Sequence, residues 1–204
     1  MKRSTAPSLD DTIDIVRDLI VPMYHVQRDI TPPGRPHTKE NNAEHSWSLA
    51  MLASMLAPLI DAKLDVAKMC QLAIVHDLPE IHAGDVSAMD KQAYSSADKQ
   101  RRELRAAQKI VDDFPKLECL AAMFDDYKHL RSDEACFVYA LDKLLPIIYD
   151  YLDQGEYLRQ LGFSREQYHD HLALVRDKAQ AHPTVGAYYD EMLALMDQHP
   201  EFFA

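Results

Sequence analysis

The chain has 204 residues, 47% of them hydrophobic, enough to close one substantial core. Its formal net charge of -11 opposes the docking of long nucleic acid, whose phosphates need clustered Lys and Arg. Only five glycines stand among abundant Ala, Leu, Met, Glu, Lys and Gln, which favours helix and argues against a β-rich fold.

A first helix is expected from Asp10 or Asp11 to about Val21, with Ile13, Val16, Leu19 and Ile20 at helical spacing and Pro22 as its stop. From Met23 to Asn42 the chain carries Pro32, Pro33, Gly34 and Pro36 with little apolar periodicity, and so long a loop is expected to lie across the site. Asn41 followed by Glu44 forms a capping-box pattern that opens a helix to about Leu59, with His45 in its first turn. Along it Leu49, Leu52, Met55, Leu56 and Leu59 read as a core stripe. A third helix is expected from about Asp65 to His76, after which Pro79 disturbs the register and Gly84 makes a turn.

Further helices are expected over about 96–112 and 116–126, then one capped by Ser132 that carries Asp142 and bends at Pro146. Two more follow, opened by Ser164 with Gln167 and by Thr184. The sum is one all-α bundle of about seven to nine helices, a single domain over 1–204. The longest apolar stretch, Leu49 to Ile60, is too short to span a bilayer, so no membrane is expected. No secretory signal is evident, and three cysteines without CxxC spacing fit a reducing cytoplasm.

No P-loop, GxGxxG or GxSxG occurs. The residues that stand out are His45, the doublet His76-Asp77 in AIVHDLPEIHAGD, and Asp142 in YALDKLLP. Two imidazoles and two carboxylates suit a borderline-hard dication such as Mn, Co, Fe, Ni or Zn better than calcium. Taken singly, each residue reads more simply as a structural or solvated side chain. Neighbours on a helix also point about 100° apart, so spacing does not select His76 with Asp77 as a ligand pair.

The series His45, His-Asp 31 positions later and Asp142 after another 65 resembles the H…HD…D signature of the HD-domain superfamily. ENNAEHSW, the block from His76 to Asp85 and KQRRE from Lys99 to Glu103 are similar to its 5'-deoxynucleotidase branch, in which an arginine stands where Arg28 stands here. The resemblance covers about 10–150; the helices over about 151–204 carry no motif of it. It implies an all-α fold, a divalent transition metal on His45, His76, Asp77 and Asp142, and removal of the 5'-phosphate from a small nucleotide. Glu80 would act on the attacking water, and Arg28 and Asp85 would contact phosphate and sugar. It also implies a second cation near Glu80 and Asp85, and a homodimer. In one departure, Asp29 occupies the place where the family often has an aromatic residue.

Arg35 competes with Arg28 for the phosphate, and Lys91, Lys143, Arg101 and Arg102 are secondary candidates. His169 and His171 lie two apart, a poor chelating pair on a helix. Two other readings stay open: a nucleoside triphosphate substrate on the same fold, and a non-catalytic helical interaction module stabilised by its metal.

Overall fold

The computed structural model describes residues 6–35, 37–85 and 97–204; Lys91, a candidate substrate contact, lies outside them. It is all-α, as expected. Among the described residues the extended pairing is confined to an isolated antiparallel bridge between Gln27 and Asn41.

Helix α1, Leu9–Ile15, is capped by Ser8 in a capping box with Asp11, two or three residues before the expected Asp10 or Asp11. The chain stays helical through a π-helical turn, Val16–Ile20, into α2, Val21–Met23. Pro22 therefore does not stop the helix. Its ring would meet the carbonyl of Asp18, and the widened turn before it relieves that clash.

Helix α3, Asn42–Ile60, opens on the expected box between Asn41 and Glu44. His45, Leu49, Ala53 and Ala57 recur every four residues and form its buried face. Trp47, Met51, Met55 and Leu59 recur the same way on the opposite face and are exposed, Leu59 at 82%. Met55 and Leu59 therefore do not belong to the core stripe: a helix two residues out of phase turns by about 200°.

Helix α4, Val66–Val75, is capped by Asp65 and ends at His76. From there the chain tightens through bonds from Leu78 N–H to Val75 and from Glu80 N–H to Asp77 before α5, Glu80–Ala83, and its terminal Gly84 at φ +74°. Helices α6, Ala97–Asp113, and α7, Cys119–His129, follow. Helix α8, Asp133–Leu152, starts at the expected Ser132 cap and runs on through Pro146. It is buried on nearly every side and touches α3, α4 and α7 as well as the helices after it: α9, Glu156–Gln160; α10, Arg165–Ala179; and α11, Pro183–Met196. Ser164 and Gln167 box the start of α10, while α11 is capped by His182 with Pro183 at its first position, two residues before the expected Thr184. A 3-10 turn, Pro200–Phe202, ends the chain.

The larger core lies between α3, α4, α8, α9, α10 and α11, around Leu49, Met69, Phe137, Leu141, Leu158 and Tyr189. A smaller one, with Leu19, Met23, Leu78, Ile110 and Leu120, holds the α1–α2 arm against α6 and α7. Each fully buried aliphatic side chain contributes roughly 1.5–3 kcal/mol by leaving water. The packing of α8 between α3 and α4 fixes where His45, His76 and Asp142 meet. Among the described residues no helix is long and apolar enough to cross a membrane.

Candidate metal centre

His45 continues the buried face of α3, His76 that of α4, and Asp142 sits on α8 where all three helices converge. One ligand atom of each lies within 4.8 Å of the others. Because His76 already stands where α4 ends, the 100° rule for helical neighbours does not bind it to Asp77. Asp77 Oδ2 is 3.1 Å from His76 Nε2.

The imidazoles are set for a cation. His76 Nδ1 is 2.9 Å from the carbonyl of Ala73, which can only accept, so Nδ1 carries the proton and Nε2 its lone pair. Nε2 is buried and accepts no hydrogen bond, an orphan that a metal would satisfy. His45 Nε2 stands 3.0 Å from Asp142 Oδ1, and its Nδ1 stands 3.3 Å from Glu40 Oε2. A carboxylate behind a histidine ligand fixes the tautomer and raises the basicity of the ring. Nitrogen and carboxylate donors of this kind fit a divalent transition metal.

The acids differ sharply in their proton affinity. Burial would push Asp77 up, but the adjacent His76 ring and the Arg28 guanidinium outweigh it and hold the carboxyl well below its ordinary range. Burial opposes ionisation of Asp142 too; Lys143 and the hydrogen bond to His45 hold it low. For His45, burial and Arg28 work against the proton, while bonds to Asp142 and Glu40 keep its pKa above the ordinary value. Glu80 goes the other way: burial, then the Asp77 and Asp85 charges, raise it well above 4.5. Asn42 donates to Glu80 Oε2 at 2.8 Å and holds it in place.

The long loop does lie across the site. Arg28 N–H donates to the Glu40 carbonyl, Glu40 N–H to Ile30 and Asn42 N–H to Val26, so two extended legs run side by side. One delivers Arg28, whose Nη1 donates to Asp77 Oδ2 at 2.7 Å and whose Nη2 is 3.9 Å from Asp142. The other delivers Glu40. Arg35 is elsewhere, paired with Glu44 on the outer end of α3.

Lys143 pairs with Asp142 beside the site, and Asp85 lines the same cavity. Arg101 pairs with Asp98 instead, and Arg102 reaches Asp98 and the Ala83 carbonyl at the end of α5. The α6 cation at the site is Lys99, which lines both adjoining cavities. His169 bonds Asp197, whereas His171 is buried and faces a cavity. Sequence reasoning missed Glu40, Asn42 and Tyr127, whose hydroxyl donates to Asp142 Oδ2 at 3.2 Å. Glu40 and Asn42 stand in ENNAEHSW beside His45, so adjacency was the available signal; for Tyr127 there was none.

The HD domain family profile matches residues 24–182. The chain is 32% identical over 126 residues to the 5'-deoxynucleotidase HDDC2 of Danio rerio, covering 60% of this chain and 57% of that one. It is 29% identical over 106 residues to the Homo sapiens protein of the same name, covering 51% and 50%. The chain thus spans little more than half the length of these curated relatives. In fold it is similar to a predicted metal-dependent phosphohydrolase from Magnetospirillum magnetotacticum, with a TM-score of 0.76 and 24% identity over 96% of this chain and 98% of that one. A conserved hypothetical protein from Pyrococcus furiosus superposes with a TM-score of 0.62 and 21% identity, covering 91% and 99%.

Proposed function

The chain belongs to the HD domain family, and from that premise we propose that it is a metal-dependent phosphohydrolase that removes the 5'-phosphate from (deoxy)nucleoside monophosphates. The observation that carries this reading is the buried, unpartnered His76 Nε2 facing His45 and Asp142, with the elevated acid Glu80 beside them. Its similarity to the 5'-deoxynucleotidases supports the choice of substrate.

In this reading His45, His76, Asp77 and Asp142 hold a dication. When bound, that cation supplies positive charge to the phosphoryl oxygens and acidifies water. Arg28 grips the phosphate through its guanidinium, with Lys143 and Lys99 on the adjoining walls. Glu80, steadied by Asn42, would take a proton from the water that attacks phosphorus, and as the P–O5' bond breaks a proton is returned to O5', releasing nucleoside and orthophosphate. Asp85 reaches the sugar hydroxyl or shares a second cation with Glu80. Glu40 keeps the His45 ring in register from behind. The reaction is ester hydrolysis through a loose transition state, so positioning and charge supply most of the acceleration.

One observation favours a second reading: a larger cavity of about 630 Å³, lined by Lys99, Lys128, Lys143 and Lys178, adjoins the same acids and would take a triphosphate. Incubating the protein with each nucleoside mono- and triphosphate in Mn²⁺ or Co²⁺ separates the two. Release of orthophosphate and nucleoside from monophosphates is expected. Turnover of triphosphates alone, with pyrophosphate or triphosphate released, overturns the monophosphate reading; turnover of no nucleotide leaves a non-catalytic metal module. The exposed row of Trp47, Met51, Met55 and Leu59 is the face on which we place a homodimer contact.

A further inference from the structure

Helix α8 carries more than a metal ligand. Asp142, Lys143, Pro146, Ile147 and Asp150 fall at i, i+1, i+4, i+5 and i+8, so they share one face over two turns, and all five line one cavity of about 150 Å³. At 1.5 Å per residue the two acids are about 12 Å apart along the helix, with the metal centre at one end and Asp150 at the other. Helix α10 closes the far end with His171, Leu172 and Val175.

Asp150 is a costly residue in that position. It is 6% exposed, Tyr168 donates to its Oδ2 at 2.8 Å, and among the described residues no cation pairs with it. Burial, helped by the nearby Asp153 and opposed by the Tyr168 bond, pushes it up to about 7. A buried carboxyl without a counter-charge is destabilising, and such groups cluster where a ligand is to be met. The walls between the two ends, Pro146, Ile147, Leu172 and Val175, are apolar. A cavity of about 150 Å³ accommodates one benzene-sized ring, so the sugar and phosphate of a nucleotide would extend from it into the adjoining cavity of about 630 Å³ that shares Asp77, Glu80, Asp142 and Lys143. Apolar walls with a few convergent polar groups at one end are the usual make-up of a small-molecule site.

We propose that this end of the cavity is a nucleobase subsite in which Asp150 accepts a hydrogen bond from an exocyclic amino group, so that the enzyme favours amino-bearing bases over their oxo counterparts. The proposal rests on the monophosphatase reading only for the placement of the phosphate at the metal end. Cytosine presents an N4 amino donor where uracil presents a carbonyl oxygen, which the ionised Asp150 carboxylate repels, so the discrimination is read above about pH 8, where this group has lost its proton. Asp29 lines the same cavity and accepts from Tyr157 at 2.9 Å, so this side of the site is built for polar contact.

The test compares dCMP with dUMP, which differ at that one group. kcat/KM for orthophosphate release in saturating Co²⁺, and calorimetric binding of both nucleotides to metal-free protein, are measured for the wild type and for Asp150→Asn. A dCMP:dUMP ratio of roughly 10–100 is expected in the wild type, collapsing towards one in Asp150→Asn, whose amide can donate as well as accept. The readout is a ratio within one protein, so loss of folded material does not move it. A wild-type ratio near one, or a ratio unchanged by Asp150→Asn, overturns the subsite. An Asp150-dependent preference in binding without hydrolysis of either nucleotide sustains the subsite and removes the monophosphatase reading.

Discussion

Replacing Glu80 by Gln separates the chemical step from the architecture of the site. The amide oxygen can accept the same 2.8 Å hydrogen bond from Asn42, so position is kept and only charge and basicity are lost. Loss of a positioned general base costs about 10²–10⁴-fold, or about 3–5 kcal/mol of barrier. Arg28 and the metal ligands are untouched, which keeps the loss within that range. Steady-state kinetics at saturating metal is the assay: kcat falls and KM and metal content hardly change.

A second readout comes from stability. Glu80 has its folded pKa raised above 4.5 by burial and by Asp77 and Asp85, so its contribution is fully present below that value and is lost as pH rises through the elevated folded pKa. Glu80→Gln lacks that loss, so in metal-free protein the Tm of the variant should gain on the wild type as pH rises above 4.5 and through the elevated folded pKa. Near-normal turnover at every metal concentration would refute the assignment of Glu80 to the water. A flat Tm difference would refute the buried, elevated carboxyl.

Glu40→Gln should weaken transition-metal affinity by about 10–100-fold while His76→Ala or Asp142→Ala abolishes it, measured by metal titration and elemental analysis; full occupancy in either ligand variant would overturn the ligand set. Arg28→Ala should raise KM or lower kcat far more than Arg35→Ala, because Arg28 stands over Asp77 and Asp142 whereas Arg35 serves the cap of α3. Equal kinetics for the two variants would remove Arg28 from phosphate binding.

Much of this was legible in the chain because local chemistry and tertiary structure agree there. The caps at Asn41, Ser132 and Ser164 were visible as side chains that satisfy helix N–H groups, and all three open helices. The exposed row on α3 was not legible: Met55 and Leu59 are as apolar as Leu49, and only packing against α4 and α8 decides which face is buried. Signature spacing picked out His45, His76 and Asp142, but not the supporting contacts. Glu40 and Tyr127 act across 5 and 15 positions respectively, through distances set by a loop and by an interhelical angle that periodicity does not encode. Glu80 stands four positions after His76 in the sequence, a helical turn if the helix ran on, but it starts a new helix after the chain tightens and reaches the site by a different geometry. The C-terminal helices offered no motif, since a lone Asp150 acquires meaning only when α10 closes over it.

The paired legs of the long loop set which changes of length the protein tolerates. Arg28 and Glu40 are tied across the ladder by a main-chain hydrogen bond, and Asn41 follows at once as the cap of α3, so neither leg has slack. One residue inserted between Gln27 and Ile30, or between Lys39 and Asn41, would shift the pairing by a position and swing the guanidinium or the carboxylate to the opposite side of the ribbon. The bend at Pro32, Pro33 and Gly34, with Gly34 at φ +80°, carries no such constraint, because closing a longer tip costs only a fraction of a kcal/mol per added residue. Insertions and deletions among homologous chains should therefore collect at the bend and avoid the legs, leaving the separation from Arg28 to His45 to vary only through the tip.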